Sequence, residues 1–144
     1  MLVKEIMSKR LVAVSPNDTI SGAAELMQRH DIGTVLVCDS DGLRGVVTDR
    51  DIVVRCVSAG KNTNSKVSDI MTSSPVSISP ESTSLEAARL MAQEQVRRLP
   101  VVDDDRVVGI VSLGDMARAQ NLDVEVAVAI ADISETKECH RMKK

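Results

Sequence analysis

Gly45-Val46-Val47-Thr48-Asp49-Arg50-Asp51 returns later in the chain as Gly109-Ile110-Val111-Ser112-Leu113-Gly114-Asp115. Both stretches read glycine, two branched apolar residues, a hydroxyl, and an acid three residues on. The offset of 64 (109 − 45 and 115 − 51) also links Met7 to Met71, Pro16 to Pro80, Ala23-Ala24 to Ala87-Ala88 and Met27 to Met91. About a third of the paired positions are identical and several others swap one apolar residue for another, the mark of an internal duplication. Such a duplication builds a pseudo-twofold body with two related sites.

Working outward, each copy opens with an apolar turn, VKEIM or VSDIM, and an extended run, Val12-Ala13-Val14 or Val76-Ser77-Ile78. Ser15-Pro16 and Ser79-Pro80 end those runs, because proline holds its predecessor extended. Asp18 or Thr19, and Ser82 or Thr83, are placed to cap a helix. Ile20, Ala23, Ala24 and Met27 then recur at helical spacing, as do Ala87, Ala88 and Met91. Two strands follow, with Asp39-Ser40-Asp41-Gly42 between apolar runs as a hairpin signal. The matching turn, Asp103-Asp104-Asp105, has no glycine and its type stays open. A second helix begins after Thr48 or Ser112. In copy one it reads DRDIVVRCV, whose β-branched residues need packing to hold them helical.

The order is β-α-β-β-α, twice, an α/β (α+β) fold. Copy one spans 1–57, a polar linker 58–66, copy two 67–120, and a mostly apolar helical tail 121–144. At 144 residues, each copy alone would be a marginal domain, so the halves are expected to share one core. No apolar run approaches the ~20 residues of a membrane span, and the N-terminus lacks a signal-peptide core. Three cysteines without paired spacing fit a reducing, cytoplasmic setting. A net charge of −3 with mixed signs leaves no footprint for nucleic acid, and the absence of Phe, Trp and Tyr removes base-stacking platforms.

A hydroxyl at a helix start caps the helix, and beside free amides and the positive dipole end it also helps hold a phosphate. An acid three residues later lies one turn away on the same face, where its carboxylate can accept both bonds of a ribose diol. The competing reading is a plain capping box, Thr48 with Asp51 and Ser112 with Asp115. Its recurrence at equivalent places favours a site.

With these residues in view, the chain resembles a tandem pair of cystathionine-β-synthase (CBS) domains, the Bateman module. The IM turn, V-x-V-S-P, A-A-x-L-M, Arg97-Arg98-Leu99-Pro100-Val101 and the glycine–hydroxyl–acid stretch carry the likeness over residues 1 to about 120. The resemblance implies a small stand-alone regulatory module that binds AMP, ADP, ATP or S-adenosyl compounds in clefts between the repeats. It assigns phosphate contact to Thr48 and Ser112 and ribose contact to Asp51 and Asp115. No cofactor is required under this reading; an adenine nucleotide is the expected ligand. Adenine is expected against Val14 and Val35, or Ile78 and Leu99.

Copy two has Arg97 and Arg98 where copy one has Gly33-Thr34. If those arginines reach across, the Thr48/Asp51 site is the better anion binder; the alternative is ion pairing with Glu94 or the acidic turn. The apolar helices imply an unpaired face, hence a homodimer that passes occupancy to a regulated protein not identified by sequence. The alternative function is a ligand-independent interaction module. An enzyme is disfavoured, since no phosphate loop or nucleophile–base pair emerges. Asp103-Asp104-Asp105 reads as a solvated turn, Cys38 and Cys56 as small core residues, His30 as a favourable charge at a helix end, and Cys139-His140 as too sparse for zinc.

Overall fold

The computed structural model describes residues 1–119. The tail expected at 121–144, with Cys139-His140, lies outside the described residues. The described residues divide into two compact units, Leu11–Pro75 and a second made of Met1–Arg10 with residues 76–119.

In the first unit β1 (Ala13–Val14) leads through α2 (Ile20–His30) to β2 (Thr34–Asp39) and β3 (Gly42–Thr48); α1 (Val3–Ile6) belongs to the second unit. After β3 come one α-turn, α3 (Asp49–Asp51), a π-helical stretch Ile52–Val57, a 3-10 turn Val67–Asp69 and the short β4 (Thr72–Ser73). The sheet order is β1-β2-β3-β4, with β1 parallel to β2 and the other pairs antiparallel. The Thr19 hydroxyl accepts from the Gly22 amide and caps α2.

The second unit repeats this plan with α4 (Ser84–Glu94), β5 (Arg98–Asp103), β6 (Arg106–Ser112) and α5 (Leu113–Arg118). Its flanking strands shrink to single bridges: Ile78 pairs parallel with Val101, and Ser8 pairs antiparallel with Ile110. Thr83 and Glu86 form a reciprocal capping box on α4. The fold is thus two β-α-β-β-α repeats, as the sequence order implies.

The compact units and the sequence copies have different edges. The turn Val67–Met71, which opens copy two in sequence, is built into the unit of copy one: the Val67 amide donates to Asp18 O, and the Ile20 amide donates to Ser65 O. Symmetrically, the Val3 amide donates to Ser82 O and the Ser84 amide to Met1 O. Gly45 and Gly109 make this possible. A Cβ on Gly45 would stand 2.7 Å from Met71 Sδ and 2.7 Å from Thr72 O, and one on Gly109 would stand 2.6 Å from Met7 Sδ.

The expectation of one shared core is corrected to two. Val14, Ile20, Ala23, Met27, Val35, Val37, Val47, Cys56, Val67 and Ile70 pack together in one unit. The other is centred on Ala87, Ala88, Met91, Leu99, Val101, Val111 and Met116, with Val3 brought in from the N-terminus. Each donated turn supplies apolar side chains that a lone copy lacks, so each unit closes its own core.

Candidate functional site

Thr48 ends β3 in extended geometry and caps the helix that follows. Its Oγ1 accepts the Asp51 amide at 3.0 Å, while Asp51 Oδ2 accepts the Thr48 amide at 2.9 Å. Ser112 and Asp115 repeat both bonds at 3.0 Å. The capping box is therefore real in both copies, and it fixes the hydroxyl and the acid against each other.

What remains available is chemically specific. Each hydroxyl uses a lone pair as acceptor and keeps its O–H for donation. Each carboxylate keeps Oδ1, which faces an arginine: Arg55 Nε at 3.8 Å from Asp51 and Arg118 Nη2 at 2.7 Å from Asp115. The side chains of Asp51 and Asp115 are only 14% and 15% exposed, so neither acid faces open solvent.

The free amides expected at the helix start are corrected for copy one. There the Asp49 amide donates to Gly33 O, the Arg50 amide to Asp49 Oδ1 and the Asp51 amide to Thr48. In copy two the Leu113 amide donates to Arg97 O and the Asp115 amide to Ser112. Anion binding would rest on side chains more than on the helix start.

Val14 and Ile78 are nearly buried, and Val35 and Leu99 are fully buried, all four within the cores. Val35 and Leu99 present no surface, so they back the strand starts and pack the core. Arg97 and Arg98 are exposed, and the sheet register sets Arg98 opposite Ser112 of its own unit, where copy one sets Thr34 opposite Thr48. Arg55 is the residue sequence reasoning missed. Its Nη1 donates to Ile70 O at 3.2 Å and Met71 O at 3.4 Å, contacts far apart in sequence that no local pattern announces.

The remaining candidates are structural. Cys56 is buried and its thiol lies 3.4 Å from Lys61 O. Cys38 is half-buried, and burial, with the neighbouring Asp39 charge second, pushes its thiol above the usual value. Asp104 and Asp105 form an exposed two-residue turn. His30 stands in the last turn of α2. Among the described residues no group of three or more His, Cys, Asp or Glu could hold a metal, and no helix is long and apolar enough to cross a membrane.

The CBS domain pattern matches residues 3–58 and 67–121. The chain is 42% identical over 132 residues to the CBS domain-containing protein YhcV of Bacillus subtilis, covering 92% of this chain and 94% of that protein. Among solved structures it resembles the CBS domain pair of protein MJ0100 in complex with 5′-methylthioadenosine and S-adenosyl-L-methionine: TM-score 0.74, 31% identity, 82% of this chain and 94% of that one. It also resembles CBSX2 in complex with AMP: TM-score 0.72, 31% identity, 81% and 93% covered. CBS domains are regulatory and non-catalytic. With two matched repeats, each carrying its own paired hydroxyl and acid, the chain belongs to the CBS-domain family as a tandem pair.

Proposed function

We propose that the chain is a ligand-sensing regulatory module that binds an adenosine-type compound through Thr48 and Asp51 in one unit and Ser112 and Asp115 in the other. The observation that carries this reading is the twofold occurrence of one geometry. In each unit a shielded carboxylate holds Oδ1 outside the capping box, and a hydroxyl keeps a proton for phosphate or another acceptor. That Oδ1 lies 3.8 Å from Arg55 Nε in Asp51, and in Asp115 it accepts from Arg118 with a lone pair left for a ribose diol. Relatives solved with AMP, and with methylthioadenosine and S-adenosylmethionine, support the ligand class. The two sites are unequal, because Arg97 and Arg98 stand where copy one has Gly33 and Thr34.

Occupancy acts by favouring one arrangement of the protein over another, which requires different affinities for the two. The protein works as a cytoplasmic homodimer and passes the signal to a partner protein. Val53, Val54 and Val57 support the dimer, being 58%, 50% and 64% exposed on the π-helical stretch. The free thiols of Cys38 and Cys56 suit a reducing compartment.

A ligand held at ~100 times its dissociation constant stabilises the folded state by about 2.7 kcal/mol. For a chain this size that is a rise in melting temperature of several degrees. AMP, ADP, ATP and S-adenosylmethionine are the compounds to test, and silence with all four defeats the proposal. Calorimetry that finds two equal sites defeats the asymmetry alone. A second reading, a ligand-independent interaction module, is favoured by the capping boxes, which give each hydroxyl and each acid a structural role without any ligand. Native mass spectrometry of freshly purified protein separates the two by showing whether a nucleotide travels with it.

A further inference from the structure

Asp51 has one oxygen committed and one to offer. Oδ2 accepts the Thr48 amide, and Oδ1 lies 3.8 Å from Arg55 Nε. The same guanidinium donates from Nη1 to the carbonyls of Ile70 and Met71. Its planar fork of donors can hold a carboxylate and two carbonyls at once, which an ammonium point charge does less well. One side chain therefore joins the acid to the end of the donated turn. Just beyond, Met71 Sδ presses on Gly45, Thr72 and Ser73 form β4 against β3, and Pro75 is the last residue of this unit.

We infer that Arg55 is a positioning residue that couples the state of Asp51 to the segment Ile70–Ser73, through which the chain leaves this unit. The inference rests on the nucleoside reading of Asp51 given above. Hydroxyls donating to Oδ1 spread the carboxylate charge that draws Arg55, so the guanidinium turns more fully to the two carbonyls. Ligand binding then tightens Ile70–Ser73. The device is one-sided. The counterpart of Arg55 in copy two is Ala119 (55 + 64), and an alanine has no donor for the matching carbonyls of Ile6 and Met7. Arg118 satisfies Asp115 from within α5 instead. Occupancy at Asp51 is transmitted along this route, and occupancy at Asp115 is not.

Hydrogen–deuterium exchange of peptides covering residues 67–76 tests this on the full chain, with wild type, Arg55→Ala, Arg55→Lys, Asp51→Asn and the double variant. Without ligand, Arg55→Ala should speed exchange of this segment about tenfold, the loss of charge-assisted bonds raising local opening. Arg55→Lys, the gentler change should alanine not fold, should fall between alanine and wild type. Asp51→Asn should speed exchange less than Arg55→Ala, and the double variant should exchange no faster than Arg55→Ala alone. Saturating AMP or S-adenosylmethionine should slow the segment in wild type. In Arg55→Ala the ligand should still bind within about threefold while the segment no longer responds.

Arginine variants that exchange like wild type, additive effects in the double variant, or a ligand response that survives in Arg55→Ala each overturn the coupling. So does a loss of affinity beyond about tenfold in Arg55→Ala, which would make Arg55 a ligand contact. Wild type that binds neither compound defeats the nucleoside reading instead, and the ligand-free comparisons still decide the coupling.

Discussion

Gly45 and Gly109 carry a demand that helix and strand propensities do not express. At Gly45 the nearest obstacles to a methyl group are a flexible sulfur and a backbone carbonyl, Thr72 O, and the carbonyl cannot swing aside. Gly45→Ala should therefore cost about 2–3 kcal/mol in urea unfolding, with Gly109→Ala similar because Ser8 O stands 2.9 Å away. Gly60 has φ of +71° and open space around it, so Gly60→Ala should cost only about 1 kcal/mol of backbone strain. Asp51→Ala should lose the larger nucleotide-induced melting shift, and circular dichroism would establish that the fold persists. Cys38 sets a pH dependence. Its folded thiol ionises above the ordinary value of 9.0, so the unfolded chain gives up that proton first. Stability should fall as pH rises from about 9, and Cys38→Ala should flatten that fall in pH-dependent unfolding.

At the scale of elements, the helices and hairpins were legible because each has a local cause. Thr19 and Thr83 start helices as their hydroxyls predict, and the two apolar runs around Asp39–Gly42 do pair. The turn left open in copy two has Asp104 and Asp105 both at positive φ, at 49° and 65°. That is the backbone a two-residue primed turn demands, and aspartate tolerates it less well than Asn-Gly. Replacing the pair by Asn-Gly should raise stability by about 1 kcal/mol, read as a melting rise of a few degrees. Other features escaped the sequence because their causes are not local. Val76–Ile78 matches Val12–Val14 in pattern yet makes only one bridge, since a strand is defined by its partner. The sequence alone places each donated turn with its own copy, because the copies share one pattern and either would accept either turn. At the site, the paired hydroxyl and acid could be read from spacing. The buried state of Val35 and Leu99, and the reach of Arg55 to residues 70 and 71, required the assembled unit.

At the scale of the whole molecule, the unequal surfaces of the two copies matter most. Copy one exposes Val53, Val54 and Val57, while the aligned positions Ala117 and Arg118 in copy two carry a small and a charged side chain. If the valine face is the dimer contact, Val54→Lys with Val57→Glu should convert dimer to monomer in sedimentation experiments without lowering the unfolding midpoint of the monomer. A dimer that persists in that variant places the contact elsewhere. The order in which the molecule is made adds a further consequence. Residues 11–75 are contiguous, so a nascent chain has that unit complete soon after it emerges from the ribosome. Residues 1–10, translated before that unit, must wait for residues beyond Val76 before Val3 and Met7 find their places. A bulky insertion just ahead of Val3 should therefore disturb the unit completed later in translation, and spare residues 11–75 beside it in sequence.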